Sequence, residues 1–414
     1  MADLQPVRGT HDFMPAEQRR HRFVVDSARS IAERYGYGEI ATPIFEFTDV
    51  FARPIGEATD IVQKEMYTFQ DRGGEEITLR PEYTAGIVRA VISNGLTQTL
   101  PLKFFASGPM FRYERPAKGR FRQFHQIDIE LLGVAQPLGD VEVIALGAEI
   151  LGKLGVLTRT ELEINTLGDG LSRQAYRGAL VEYYQRRLNE LSEDSRRRLE
   201  RNPLRILDSK DPADKRVNEE APSFDAYLTD EARQFFDAVL AGLRRLGIAY
   251  RLSPRLVRGL DYYCHTAFEF VTTALGAQGT VLGGGRYDGL MGVMGGPETP
   301  GVGWAAGIER LALLLDEPPA PPRPIVLVPL GAAAEDLALT LARDLRRKGL
   351  VVELGYSGNL RRRLARADKI GARAAVILGD NELARSAASL RDLDTGEQIE
   401  VPLDALEERL QAFR

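Results

Sequence analysis

The alternation of apolar and polar residues is sharpest in residues 108–133, where it repeats every two residues on both sides of a polar loop. A period of two is typical of β-strands that bury one face, so this segment is predicted to form an antiparallel hairpin. On its second arm, Ile127, Ile129 and Leu131 fall on the face that should enter the core. The opposite face is polar and charged, which makes it the first candidate for a binding surface.

The pattern changes near the end of the chain. Short apolar runs alternate there with amphipathic stretches, in the order PIVLVPL (strand), 334–348 (helix), LVVEL (strand), 359–371 (helix) and AAVILG (strand). This order predicts a doubly wound α/β domain at 325–414 with a largely parallel sheet. Five prolines within residues 317–324 precede it and predict a stiff linker, so we place a domain boundary there.

Upstream of the linker, helices and longer strands mix without that rhythm. This favours an α+β domain at 1–320, built on an antiparallel sheet with helices packed outside. Residues from about 171 to 249 are dense in charge and in helix formers, and they are predicted to form a helical insertion within that domain.

Composition limits the kinds of metal site, disulfide and membrane segment that the chain can contain. The chain has 414 residues, a net charge of -5 and one cysteine, Cys264, which excludes an internal disulfide and a cysteine-based zinc site. Its four histidines show no close helical spacing, so we expect no structural zinc. No apolar run approaches the roughly 20 residues of a membrane helix, and the N-terminal segment lacks the apolar centre of a signal peptide. We therefore expect no membrane partner and a cytoplasmic location.

The polar face of the hairpin combines arginine and glutamate side chains with one phenylalanine. Its members are Arg112, Glu114, Arg120, Arg122, Phe124, Gln126 and Glu130. Such a face suits an anionic ligand with an aromatic ring, as ATP is. The usual nucleotide motifs are absent: in 147–153 the glycine and lysine spacing of a P-loop is followed by Leu154 instead of Ser or Thr, and 283–289 fits a dinucleotide fingerprint only loosely.

Three further segments are rich in polar groups. In 77–92 a strand turns into a helix at Glu82 and Thr84, which helix capping alone would explain. In 255–271, Arg258 lies close to two tyrosines, and a buried guanidinium needs an anionic partner. In 301–315, Arg310 falls in the first turn of a helix, where a cation opposes the macrodipole unless an anion binds there.

Several segments resemble the histidyl-tRNA synthetase family of class II aminoacyl-tRNA synthetases. They are RGTHDFMP, LRPEYTAG, FRYERPAKGRFRQFHQIDIELLG, LVRGLDYY and GGGRYDGL. The hairpin looks like motif 2 of the class, the glycine-rich strand before Arg310 like motif 3, and 40–69 like motif 1, which in that class lies at the dimer interface. Residues 360–379 look like part of the family's anticodon-binding domain.

The resemblance implies that ATP binds to Arg112, Glu114, Arg120, Phe124 and Arg310. Arg112 would contact the α-phosphate, Glu114 the adenine amino group and Phe124 the adenine face. Arg120 and Arg310 would lie near the terminal phosphates. Mg²⁺ is expected to bind together with ATP, and we assign no protein side chain as its ligand.

The resemblance also implies a histidine site. Its residues would be Glu82, Thr84, Gln126, Glu130, Arg258, Tyr262, Tyr263, Tyr287 and Gly303. The first three would bind the α-amino group, and Glu130 with Tyr263 the two imidazole nitrogens. Arg258 would bridge the histidine carboxylate and the α-phosphate, which makes Arg258 and Arg112 the expected catalytic pair.

The implied partners are histidine, ATP and tRNA(His), with the chain acting as a homodimer. Arg115 and Lys118 in the hairpin loop are candidate tRNA contacts, next to Ala117 where many bacterial members have glutamine. An apolar helical stripe in the last domain, formed by Leu360, Leu364, Ala367 and Ile370, would leave most of the nearby basic groups exposed. The tRNA candidates there are Arg361, Arg362, Arg363 and Lys369.

Two rival functions remain open from the sequence. One is a histidine-sensing regulatory subunit of ATP phosphoribosyltransferase, a paralogue that typically lacks the C-terminal domain and has a degraded RGLDYY segment. The other is a class II synthetase for another amino acid, for which Glu130 and Tyr263 would be the wrong lining.

Overall fold

A computed structural model describes residues 4–56, 59–207, 209, 211–257, 260, 262–276 and 279–413, apart from the side chains of residues 200, 201 and 205. The chain forms two compact units, Met1–Pro318 and Pro319–Arg414. In the part of the chain that the structure describes, none of the helices combines the length and apolar character needed to cross a bilayer.

The helices are Pro15–Arg34 (α1), Asp49–Ile55 (α2), Thr84–Ser93 (α3), Pro137–Lys153 (α4), Gly170–Gln185 (α5), Glu193–Arg201 (α6), Leu204–Leu207 (α7), Pro212–Glu219 (α8), Asp230–Arg245 (α9), Leu290–Val293 (α10), Ile308–Leu314 (α11), Ala332–Arg347 (α12), Leu360–Lys369 (α13), Asp380–Leu383 (α14) and Leu406–Leu410 (α15). The strands are Gly38–Glu39 (β1), Phe45–Phe47 (β2), Tyr67–Gln70 (β3), Glu76–Leu79 (β4), Leu102–Phe111 (β5), Gln123–Leu132 (β6), Glu161–Thr166 (β7), Arg251–Leu252 (β8), Cys264–Val271 (β9), Thr280–Arg286 (β10), Gly301–Gly307 (β11), Ile325–Pro329 (β12), Val352–Leu354 (β13), Ala374–Leu378 (β14), Ala387–Asp392 (β15) and Gln398–Pro402 (β16). Shorter helical turns lie at Ile61–Glu65, Leu96–Gln98, Leu157–Arg159, Leu188–Glu190, Phe224–Tyr227 and Gln411–Phe413.

The N-terminal unit is built on one large sheet. Among the described residues it has eight strands in the order β1-β5-β6-β11-β10-β9-β7-β8. Its central pairs are antiparallel, and the parallel pairs are the edge pairs β1–β5 and β7–β8. The predicted antiparallel α+β architecture is confirmed, and the hairpin of residues 108–133 forms the β5–β6 pair.

Helices cover one face of this sheet and bury its apolar side chains. The core holds residues of α1, α4 and α9 packed on Ile129 of β6, Phe268 of β9 and Trp304 of β11. The Trp304 indole Nε1 donates to the Val143 carbonyl of α4 at 2.9 Å. Because the helices cover this face, the polar side chains of the same strands lie on the other face.

The segment predicted as a helical insertion has two parts. Helices α5 to α8 enclose a core of their own, which includes Tyr176, Tyr184 and Val217. Helix α9 instead places Val239 and Leu243 in the core of the large sheet. The segment that packs independently of the sheet is therefore shorter than 171–249.

A second, three-stranded sheet has the order β2-β4-β3, and its strand β2 and most of β3 belong to the region that resembles motif 1. Phe45, Phe47 and Phe69 on its strands are 55%, 55% and 47% exposed. These rings form an apolar surface on the N-terminal unit.

The C-terminal unit has its own sheet, in the order β13-β12-β14-β15-β16. Strands β13, β12 and β14 are parallel, whereas β15 and β16 add antiparallel pairs. Ala338 of α12 and Ala367 of α13 belong to separate apolar clusters against this sheet. The predicted α/β fold is confirmed, but the sequence analysis did not foresee the antiparallel strands β15 and β16.

Candidate active site

One face of β6 forms the floor of a cavity of about 650 Å³ in the N-terminal unit. Phe124, Gln126 and Asp128 line it, while Ile127 and Ile129 point into the core and are 0% exposed. Small residues flank this column on the neighbouring strands: Gly108 and Ala106 of β5 lie opposite positions 126 and 128, and Gly307 and Ala305 of β11 do so on the other side. The period of two therefore places the polar face as predicted.

Glu130 lies on the same face of β6 and is held by two hydroxyl groups. Thr84 Oγ1 donates to Glu130 Oε1 at 2.5 Å, and the Tyr287 hydroxyl donates to Glu130 Oε2. The side chain is 1% exposed. Burial raises the pKa of Glu130 to about 8, although the two hydrogen bonds oppose the rise. The carboxyl can therefore exchange a proton near neutral pH.

Gly303 stands opposite Glu130 in the β6–β11 register. A Cβ atom at this position would overlap the Glu130 carboxylate and the Ile129 carbonyl oxygen. Glycine is thus required here for space, because any side chain would take the volume that the carboxylate fills.

Glu82 lies two residues before α3 and lines the cavity. Its Oε2 accepts from the Thr84 backbone N–H at 2.8 Å, and its Oε1 from that of Ala85 at 2.9 Å. Burial raises the pKa of Glu82, and these hydrogen bonds counteract the rise. The helix-capping alternative is therefore realised, but a carboxylate has about four acceptor positions, so capping leaves capacity for a ligand.

Three tyrosines form an aromatic wall beside Glu130. The ring centroids of Tyr262 and Tyr263 are 4.7 Å apart, and those of Tyr262 and Tyr287 are 5.7 Å apart. Tyr262 and Tyr263 line the cavity. Burial raises the pKa of Tyr262 and of Tyr287 well above the usual value, so both hydroxyls are neutral donors at neutral pH.

The other end of the cavity is basic. Arg112 Nε donates to the Pro81 carbonyl at 2.9 Å, and its guanidinium carbon lies 5.2 Å from the centre of the Phe124 ring. Arg120 Nε is 2.6 Å from Glu114 Oε2, whereas Arg112 Nη1 is 3.9 Å from Glu114 Oε1. The side chains predicted for adenine and phosphate recognition are thus brought together.

Arg310 projects from the first turn of α11 toward the same basic end. Its Nε donates to the Gly119 carbonyl at 3.3 Å, and its Nη1 donates to the Thr280 carbonyl. Burial, followed by the charge of Arg120, lowers the pKa of Arg310. An anion at this position would relieve both penalties.

Some predicted residues lie elsewhere. Arg258 is outside the described residues, so its predicted bridging role stays a prediction. Arg115 and Lys118 are exposed in the loop between β5 and β6. In the C-terminal unit, Arg361 and Arg362 are exposed on α13, as is Lys369.

Arg363, the remaining tRNA candidate on this helix, is buried and only 7% exposed, so it does not offer the surface charge that a tRNA contact needs. Its Nη1 donates to the Pro329 carbonyl at the end of β12, and its Nε donates to the Gly358 carbonyl at 2.8 Å. Gly355 leaves room for the side chain, because a Cβ there would lie 3.2 Å from Arg363 Cδ. Arg363 therefore satisfies strand-end and loop carbonyls, while Leu360 and Ile370 of the predicted apolar stripe are exposed.

Asp128 is a cavity residue that the sequence analysis missed. It is 1% exposed, and its Oδ2 has no hydrogen-bond partner among the described residues. Burial, followed by the charges of Glu130 and Glu82, raises the pKa of Asp128 well above its usual range. Its place between Gln126 and Glu130 in the alternating pattern was the signal that should have identified it.

A cluster of histidines behind the floor was also missed. His21 of α1, His125 of β6 and Glu309 of α11 place ligand-type atoms within 4.8 Å of one another. The Phe13 ring packs between the histidines, 4.2 Å from His21 and 5.5 Å from His125. Two imidazoles and a carboxylate are donors that a transition metal accepts, so the absence of zinc stays a prediction. The three residues are too far apart in sequence for any spacing rule to join them.

Comparisons with known proteins agree with this arrangement. The family model for histidyl-tRNA synthetase matches residues 9–311, and that for an anticodon binding domain matches residues 324–413. The chain is 59% identical to the histidine–tRNA ligase of Rhodospirillum rubrum over all of both chains. It is 57% identical to that of Gluconacetobacter diazotrophicus over 98% of each. The solved structure of apo S. aureus histidyl-tRNA synthetase matches with a TM-score of 0.84 and 36% identity, covering 98% of this chain and 99% of that one.

These matches extend over the whole length of the chain, including the C-terminal domain. They support a ligase over the histidine-sensing regulatory paralogue. The chain therefore belongs to the histidyl-tRNA synthetase family and is an aminoacyl-tRNA ligase that joins histidine to tRNA.

Proposed function

We propose that the cavity on β6 activates histidine with ATP, giving histidyl-adenylate and pyrophosphate, before the histidyl group passes to the terminal ribose of tRNA(His). The observation that supports this most directly is the polarity of the single cavity. Thr84, Tyr262 and Tyr263 line it, as do the basic side chains of Arg112, Arg120 and Arg310. Glu130 lies directly behind Thr84 and accepts a hydrogen bond from its hydroxyl. An amino acid and a triphosphate would fit such a site side by side.

The first step needs positioning more than a protein base. A carboxylate is already a nucleophile at neutral pH, so its oxygen attacks the α-phosphorus while the bond to the β-phosphate breaks and pyrophosphate leaves. Arg112 would neutralise charge on the α-phosphate, and Arg258, by resemblance, would bridge that phosphate and the carboxylate. Class II synthetases use ATP typically with Mg²⁺, which would share the charge of the outer phosphates.

ATP would lie along the basic end of the cavity. We assign the adenine face to the Phe124 ring and the adenine amino group to Glu114, and we assign the terminal phosphates to Arg120 and Arg310. The lowered pKa of Arg310 supports the last assignment, since burial next to Arg120 is relieved by an anion.

Specificity for histidine would come from Glu130 and Tyr263, which would each bind one imidazole nitrogen. Glu82, Thr84 and Gln126 would bind the α-ammonium group, and Tyr262, Tyr287 and Gly303 would shape the pocket. A site built around such hydrogen bonds rejects amino acids that leave a buried polar group unpaired.

The tRNA would contact both units. We assign anticodon contacts to Arg361, Arg362 and Lys369, and contacts with the acceptor end to Arg115 and Lys118. The match of the C-terminal unit to an anticodon binding domain supports the first assignment.

We also propose that the protein is a cytoplasmic homodimer. The exposed rings of Phe45, Phe47 and Phe69 support the dimer, because an apolar surface of this kind is typical of an interface. Sedimentation at low protein concentration tests the dimer, with a monomer as the outcome that contradicts it. Fractionation of cells tests the location.

ATP–pyrophosphate exchange with each of the common amino acids tests the function. Exchange with histidine alone is expected. Exchange with another amino acid would indicate a different synthetase, and its absence with all of them would indicate a histidine-sensing protein. Arg258→Ala should depress the exchange rate in this assay far more than it weakens histidine binding, which is measured separately.

A further inference from the structure

The histidine end of the cavity contains two buried acceptor atoms without hydrogen-bond partners among the described residues. They are Gln126 Oε1 and Asp128 Oδ2, on neighbouring outward positions of β6. A buried acceptor that lacks a donor costs free energy, and a carboxylate oxygen costs more than an amide oxygen. Such a pair is expected where a ligand supplies the donors.

The other groups assigned to the amino acid already hold one another. Glu82 accepts two backbone N–H groups of α3, and the Thr84 hydroxyl donates to Glu130. Glu130 accepts a second hydrogen bond from Tyr287. Asp128 is therefore the carboxylate of this end with an acceptor oxygen that no described residue uses.

The surroundings of Asp128 direct it into the cavity. Its neighbours across the sheet are Ala106 and Ala305, which cannot shield it. Arg80, whose charge opposes the rise in the pKa of Asp128, donates to the Thr42 and Pro109 carbonyls and to the Tyr83 hydroxyl. Among the described residues, neither Arg80 nor any other residue hydrogen-bonds Asp128 Oδ2.

We propose that Asp128 belongs to the histidine site and that its carboxylate, together with the Gln126 amide oxygen, accepts hydrogen bonds from the α-ammonium group of the amino acid. This deepens the proposed function and rests on it. An ammonium has three N–H donors and one positive charge, which match an unpaired carboxylate and an unpaired amide oxygen. An imidazole would bring fewer donors, and Glu130 already serves that ring in the proposed site.

Two ligands that differ only in the α-amino group test this assignment. Dissociation constants of L-histidine and of 3-(imidazol-4-yl)propionate, which lacks only the α-amino group, would be measured calorimetrically for the unsubstituted enzyme and for Asp128→Asn. We expect Asp128→Asn to weaken histidine binding about 10- to 100-fold, the range for one charge-assisted hydrogen bond, and to change the affinity for the analogue less than about threefold. The KM for ATP should stay unchanged.

Asp214→Asn is the matched control, because Asp214 is also buried (0% exposed) but lies in the separate core of α5 to α8. It should leave both affinities as they are. Thermal melting checks the fold of each variant, and Asp128→Ala repeats the comparison should Asp128→Asn be unstable.

Equal weakening of both ligands would overturn the proposal, since Asp128 would then act on the imidazole or on the pocket as a whole. Unchanged affinity for histidine would overturn it as well. Failure of the proposed function is seen separately, as absence of histidine-dependent pyrophosphate exchange in the unsubstituted enzyme.

Discussion

Glu309 Oε1 lies 2.8 Å from His125 Nδ1, and the two Glu309 oxygens accept the His125 backbone N–H at 2.9 and 3.0 Å. One carboxylate therefore joins the start of α11 to β6. The residues next to this pair in the chain are Arg310 and Phe124, which we assign to the terminal phosphates and to the adenine ring. The link therefore holds together the two elements that carry the ends of the proposed nucleotide site.

Glu309→Gln should consequently weaken the binding of ATP more than the binding of histidine. An amide keeps one acceptor for the backbone N–H but loses the charge-assisted bond, a loss of about 1.5–3 kcal/mol that is shared between folding and binding. Separate KM values for ATP and histidine in pyrophosphate exchange measure the effect. Glu317→Gln, at a carboxylate whose side chain is 70% exposed, is the control. An equal rise of both KM values would contradict the role of the link.

The raised pKa of Glu130 predicts that the stability of the folded protein depends on pH. Its pKa is raised by burial to about 8 in the folded protein, from 4.5 in the unfolded chain, so the folded state binds the extra proton between these values. Stability from this group is therefore fully present below about pH 4.5 and is lost as pH rises toward 8, by on the order of a few kcal/mol.

Chemical unfolding of the unsubstituted enzyme and of Glu130→Gln from pH 5 to 8 measures this effect. The difference in unfolding free energy between them should shift against the unsubstituted enzyme as pH rises. Saturating histidine should reduce the shift, because the ligand favours the charged carboxylate. Parallel curves for the two proteins would show that Glu130 does not titrate in this range.

Gly303→Ala should disturb the end of the site that we propose for the imidazole ring. The added methyl group meets the Glu130 carboxylate and the Ile129 carbonyl oxygen, and overpacking of this kind costs about 1–3 kcal/mol. We expect histidine affinity to fall about 10- to 100-fold by calorimetry. Gly178→Ala, where nothing lies within 4 Å of the new Cβ, should bind histidine normally. Normal binding by Gly303→Ala would show that Glu130 can move without loss.

Different arginines of helix α13 should affect tRNA binding and protein stability. The double change Arg361→Ala with Arg362→Ala should lower tRNA affinity and its salt dependence while leaving pyrophosphate exchange unchanged. Arg363→Ala should instead lower the unfolding free energy by about 1–3 kcal/mol, since the Pro329 and Gly358 carbonyls lose a donor. Filter binding with tRNA and thermal melting distinguish the two. A stability loss in the double variant, with tRNA affinity retained, would contradict these assignments.

Local periodicity in the sequence predicted the parts of the candidate site that lie on one strand face or in one helix turn. Alternation along β6 placed Phe124, Gln126 and Glu130 on one face, and the helix after the glycine-rich strand placed Arg310. Asp128 follows the same rule and was missed because no role had been assigned to its position. Local patterns are strong here because one face of the strand is buried.

Contacts between distant segments could not be predicted from such patterns. His21 meets His125 and Glu309 only because α1 packs against β6 and α11. Arg363 looked like an exposed charge because the carbonyl oxygens that it binds belong to the end of another strand and to a loop. Helix α9 looked like part of the insertion because amphipathic helices do not show which core they will cover.

The first turn of α3 connects stability to fidelity. Glu82 holds that turn through two backbone N–H groups, and Thr84 within it holds Glu130. In the proposed site, fraying of this one turn would displace the groups at both ends of the amino acid. Mild heat should therefore lower the selectivity for histidine before the sheet unfolds, and bound histidine should slow hydrogen exchange at these amides.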